Sequence, residues 1–170
     1  MKYIFFVFLL LVTFFSLPFS VFAKTNSFVS VVNPVRGEDF WEVQNQKPED
    51  GLKGQLEILN TVNLPATYLI RYDAFNNINL TDLLKNSKDE KGLFLEVTPT
   101  WAKDADINYR RSDNWHDAGS AFLSGYEKDE RIKLIESAFN KFKDVFGSYP
   151  KSVGAWWIDS YSLEYMENKY

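Results

Sequence analysis

The sequence predicts an α/β protein of about four β/α units built on a mainly parallel sheet, and three observations predict it. Short apolar, β-branched runs alternate with stretches whose apolar residues recur at helical spacing. The runs are nearly continuous in hydrophobicity rather than alternating, as strands covered on both faces are. Gly or Pro marks most of the junctions between the two kinds of segment.

The first strand is expected over Phe28-Val-Ser-Val-Val-Asn33, ending in a loop that holds Pro34 and Gly37. From Pro48, Leu52, Leu56, Leu59 and Val62 fall on one helical face, Glu49 and Asp50 favour the N-terminal end, and Pro65 closes the unit. Ala66 to Arg71 reads as the second strand, Leu80 to Leu84 as a short helix capped by Asn79 or Thr81, and Gly92 to Val97 as the third strand. Thr98 to Gly125 has no sustained period, and a loop of that length in a compact domain is usually functional or poorly ordered. Ile132, Ile135, Phe139, Phe142 and Val145 then mark an amphipathic helix that begins near Glu127 and stops at Gly147. Ser152 to Trp157 is the fourth expected strand, and Asp159 or Ser160 caps a last helix carrying Leu163 and Met166.

Composition narrows the function. The chain has 170 residues, a net charge of −4 and its Lys and Arg interspersed with acids, so it has no basic stripe for a nucleic-acid backbone. It has no cysteine, which removes disulfides, thiolate metal sites and cysteine nucleophiles together. Met1-Lys2-Tyr3, the apolar run Ile4 to Phe19 and Val21-Phe22-Ala23 have the three parts of a secretory signal peptide. Cleavage after Ala23 is expected, giving a secreted or cell-envelope domain over residues 24–170. The alternative is an uncleaved anchor, the one route by which this chain would meet a membrane.

The order of segments resembles the polysaccharide deacetylase (NodB-like) family of the glycoside hydrolase/deacetylase barrels. Gly51 to Ile70, in which a helix runs into a Pro-Ala-Thr strand start, is similar to that family's first helix and second strand. Leu95-Glu96-Val97 looks like its His-Glu-Ile step, and Phe146-Gly-Ser-Tyr-Pro150 with the strand and helix that follow looks like a later unit. The resemblance implies the front half of a (β/α) barrel, and the chain ends at Tyr170 without a Gly stop or polar tail, as expected of an incomplete barrel. It also implies a polysaccharide or other glycan as partner. Family members hold a divalent cation with a strand-end Asp and two His, and use a second Asp as base. Asn33 and Pro34 stand where the Asp pair would fall, and Thr100 and Asp104 where the His pair would, so the metal site is not recognisable here; the cofactor is left unknown, a divalent metal being implied only if the family's chemistry is retained.

In a parallel sheet the reactive groups sit at the strand C-terminal ends: Asn33 to Asp39, Arg71 to Asp73, Glu96 to Asp106 and Trp156 to Asp159. Glu96 and Asp159 are the candidate acid and base, Glu96 because burial in a strand-end mouth raises a carboxyl pKa, with a rim salt bridge as its other use. Asp159 follows Trp156 and Trp157, whose rings could stack on a pyranose, and is also placed to cap the last helix. Asn33, Arg36, Trp101, Trp156 and Trp157 are the candidate substrate contacts. Glu38 and Asp39 are a solvated cluster or a ligand clamp, Trp101 and Trp115 line a groove or pin the long loop, and His116 is a loop residue or a general acid. Two functions stay open: a hydrolase acting on a cell-wall or surface polysaccharide, or an inactive barrel that binds glycan or serves the envelope.

Overall fold

The computed structural model describes residues 28–110 and 117–170; the expected signal segment, Trp115 and His116 lie outside them. Four strands form one all-parallel sheet in the order β1-β2-β3-β4: β1 Val31–Val35, β2 Ala66–Arg71, β3 Glu90–Phe94 and β4 Val153–Gly154. Each strand joins the sheet beside its predecessor. Right-handed crossovers that always step the same way put their helices on one face. Ala66, Tyr68 and Ile70 of β2 are buried on that face, where Val35 and Leu93 flank Ile70. They share a core with Leu80, Leu84, Leu134, Ile135 and Phe139 from the helices. On the opposite face Val32 is half exposed, and Leu69 lies over Gly92 and Gly154, where any Cβ would meet its side chain within 2.8 Å.

The helices are α1 Pro48–Thr61, α2 Ile78–Asn86, α3 Pro99–Asp104, α4 Ala118–Ala121, α5 Lys128–Phe146 and α6 Ser160–Lys169. Helix α1 has proline at its first position, where the missing N–H costs nothing, and Asp50 accepts from the Lys47 N–H. Helix α5 stops at Gly147, whose φ of 82° lies in the left-handed region that glycine enters freely. Asp159 caps α6 as expected, accepting from the Ser162 N–H at 2.9 Å.

Several expected boundaries move. Strand β1 begins three residues later than expected and runs on through Pro34 to Val35, which an edge strand tolerates because proline's missing N–H leaves no ladder bond unmade. Helix α2 is longer than Leu80 to Leu84 and is capped by Asn77, whose Oδ1 accepts from the Leu80 N–H, rather than by Asn79 or Thr81. Strand β3 ends at Phe94 instead of Val97, and β4 is only two residues, although the Leu95 N–H still donates to the Gly154 carbonyl. The stretch expected as a loop from Thr98 contains α3, α4 and a 3-10 turn over Leu123–Gly125. Helix α3 is too short to show a period, and the Thr98 side chain and Pro99 start it.

Candidate functional site

Because all four strands run the same way, their C-terminal ends meet along one rim. Each sends a residue to the same point: Arg36 after β1, Arg71 at the end of β2, Glu96 after β3 and Trp156 after β4. Glu96 is the centre, with only 4% of its surface exposed. Its Oε1 accepts from Arg71 Nη1 at 2.5 Å, and its Oε2 from Arg36 Nη2 at 3.2 Å and from the Trp156 indole N–H at 2.6 Å.

Arg71 is more deeply placed, 2% exposed, and is the hub of the rim. It grips Asp73 with two bonds, Nε to Oδ1 at 2.7 Å and Nη2 to Oδ2 at 2.9 Å, and donates from Nη2 to the Asp39 carbonyl. The loop after β1 is thereby strapped to the end of β2, and the Asp39 N–H closes the strap on Asp73 Oδ2 at 2.9 Å. Gly37 is required here, because a Cβ would stand 2.6 Å from the Asp73 carbonyl carbon. The Asp39 carboxylate receives the Thr100 N–H and hydroxyl at the start of α3. Phe40, next in the chain, is held at φ 62°, a conformation a bulky side chain adopts only when its surroundings impose it, and strain of this kind gathers at functional sites.

Burial alone would raise the Glu96 pKa, but the bonds from Trp156, Arg36 and Arg71 and the charge of Arg71 outweigh it. The carboxyl therefore lies below its ordinary range, opposite to the rise expected from a dry mouth, and Glu96 is held as an anion. Burial would lower Arg71, yet Asp73 and Glu96 push it above its usual value, so the pair is locked in its charged form. Such a carboxylate positions and polarises; it does not donate a proton at neutral pH.

Asp159 is not part of this cluster's hydrogen bonds. Its Oδ1 takes the Ser162 N–H and Arg131 Nη1 at 3.0 Å, and its Oδ2 takes the Ser162 hydroxyl at 2.7 Å. Burial would raise its pKa, but the Ser162 bonds and the Arg131 charge outweigh it and leave the carboxyl below its usual value. The expected acid and base are thus both anions with engaged oxygens.

Above Glu96 the rim is aromatic. Trp156 is 58% exposed even though its N–H is anchored; its ring meets Phe94 edge to face, centroids 5.7 Å apart, and the Arg36 guanidinium lies 5.7 Å from its centroid. An exposed indole fixed at its polar edge offers a preset flat surface. Trp157, 62% exposed, stands beside it in the chain. Trp101 is fully buried instead, stacked on Tyr72 and donating its indole N–H to the Leu134 carbonyl and to Ser137, so it pins α3 to α5 and presents no face to a ligand. Asn33 points to the helix-covered face beside Tyr68, away from the rim cluster.

Sequence reasoning gave Arg71 and Asp73 no role of their own; a charged residue closing the apolar run Ala66 to Ile70 was the available signal. It also missed Tyr109, whose ring centroid lies 6.4 Å from that of Phe40 in the loop after β1, and whose hydroxyl pKa is pushed up by burial first and then by the charges of Glu96, Asp117 and Asp39. Among the described residues no three His, Cys, Asp or Glu side chains converge as a metal site would need, so the described residues of the rim do not supply the ligand set of the deacetylase cation. No helix among them is long and apolar enough to cross a membrane. Searches with this chain find no matching protein-family model, no matching curated protein and no matching solved structure.

Proposed function

We propose that this is an exported glycan-binding protein, built as the front half of a glycoside hydrolase/deacetylase type barrel, that holds a cell-wall or surface polysaccharide at the strand C-terminal rim. One observation carries the reading: the Trp156 indole is more than half exposed while its N–H is tied to a buried carboxylate, so a stacking surface is held in place before any ligand arrives. Pre-positioning reduces the entropy lost on binding. The consecutive parallel strand order supports the barrel assignment, since closed β/α barrels grow strand by strand in that order.

The resemblance to polysaccharide deacetylases also leaves a hydrolase as a second reading, favoured by the placement of Glu96 in the same cluster as an exposed ring. Its support is weaker, because Glu96 and Asp159 are both kept ionised and neither is free to protonate a leaving group. The two separate in one experiment: titration of soluble chitin and xylan hexamers with the purified chain, followed by product analysis. Covering about 100 Å² of indole is worth about 2.5 kcal/mol, so Trp156→Ala should weaken binding by roughly 70-fold. Binding unaffected by Trp156→Ala removes the rim as the site. Sugar release abolished by Glu96→Gln establishes the hydrolase.

A further inference from the structure

At the opposite end of the sheet, below the N-terminal ends of β3 and β4, an open cleft of about 490 Å³ lies between the end of α2 and the end of α5. Its floor is apolar: Phe142 is buried, and the Phe142 and Phe146 rings are 4.8 Å apart, with Tyr149 at the side. Its rim carries Lys85, Lys91 and Lys151 against one carboxylate, Glu90. A local excess of lysine on a chain of net charge −4 is a departure from the molecule's own balance.

The lysines have little else to do. Among the described salt bridges none involves Lys85, Lys91 or Lys151. Lys91 donates once, to the Ser87 carbonyl, and an ammonium has three donors. Burial pulls its pKa down while nearby Asp89 pulls it back up, so a second anion in the cleft would recover part of the desolvation cost. Lys143 is held over the Tyr149 ring at 4.7 Å.

We propose that this cleft binds a small soluble amphiphilic anion, its charged group among Lys85, Lys91 and Lys151 and its apolar body against Phe142, Phe146 and Tyr149. The volume matches a small-molecule site, and concavity favours a single molecule over a bilayer surface, which is flat on this scale. Nothing in the rim reading requires this site, which lies at the other end of the strands.

Calorimetric titration of the full chain with octyl phosphate, below its micelle concentration, tests the proposal. One-to-one binding is expected, at least tenfold tighter than inorganic phosphate and than the neutral octyl dimethyl phosphate. Lys91→Gln with Lys151→Gln should weaken it at least tenfold, with circular dichroism confirming the fold, while Trp156→Ala should leave it unchanged. Equal binding of the neutral ester, equal binding of inorganic phosphate, indifference to the lysine changes, absence of binding, or binding only to phosphatidylglycerol vesicles would each overturn it.

Discussion

Replacing Arg71 with methionine removes a charge and keeps most of the apolar stem. The structure sets the scale of the loss. Arg71 is the partner of two carboxylates, Asp73 and Glu96, that are 6% and 4% exposed, and it also holds the Asp39 carbonyl. Deleting one member of a buried ion pair costs about 3 to 5 kcal/mol, because the remaining charge stays out of water unpaired. Here Glu96 keeps Arg36 and Trp156 as partners, which limits the cost on that side. Among the described residues, Asp73 keeps only the Asp39 N–H. We therefore expect a loss of about 3 to 4 kcal/mol, a large share of the stability of an ordinary domain. Urea denaturation followed by far-UV circular dichroism measures it as a drop of about 1.5 to 2 M in midpoint for an m-value of about 2 kcal/mol/M. Adding Asp73→Asn should recover part of the loss, since the stranded charge is then gone. A single variant that loses less than about 1 kcal/mol, or a double variant that is worse than the sum of its parts, refutes the unpaired-charge reasoning.

Other consequences follow from the same geometry. Gly37→Ala drives a methyl into the Asp73 main chain at 2.6 Å and should cost about 1 to 3 kcal/mol by thermal melting, with glycan binding falling alongside because the loop carries Arg36. Asp159→Ala removes the α6 cap and the Arg131 pair and should cost about 1 to 2 kcal/mol, without lowering affinity for a glycan held at Trp156. The pH dependence has a definite sign. The folded Glu96 pKa lies below the ordinary 4.5, so its contribution is complete above that value and is lost as pH falls from about 4.5 through the folded pKa. Acid titration of the wild type should show this loss, and Glu96→Gln should flatten it.

The strand and helix order was readable from the sequence where a segment was long enough to show its period. Helix α5 was legible from Ile135, Phe139 and Phe142, and its end from Gly147; β2 was legible to the residue. Helices α3 and α4 were not, because six and four residues hold fewer than two turns and their starts depend on Thr98 and Asp117 side chains rather than on hydrophobic spacing. The rim was legible as a set of places, since Arg36, Arg71, Glu96 and Trp156 all fall within the strand-end stretches Asn33 to Asp39, Arg71 to Asp73, Glu96 to Asp106 and Trp156 to Asp159. Who pairs with whom was not, because Arg36 and Glu96 are 60 residues apart in the chain and only the parallel register brings them together. The same distance hid the direction of the Glu96 shift: a lone buried carboxyl rises, whereas one beside two guanidinium groups and an indole N–H falls. Trp101 shows the converse, a ring in an aperiodic segment that could have faced a ligand and is instead sealed between α3 and α5.

The most direct measurement is the Trp156 indole N–H resonance in a nitrogen-15 spectrum of the full chain, followed while the chitin and xylan hexamers are added. A ligand seated on the ring should move that resonance and those of Arg36 and Glu96 together, saturating at one stoichiometry, with the amides of Lys91 and Tyr149 left in place. If a hexamer binds while the Trp156 signal and its neighbours do not move, the glycan is held elsewhere and the rim is not the site.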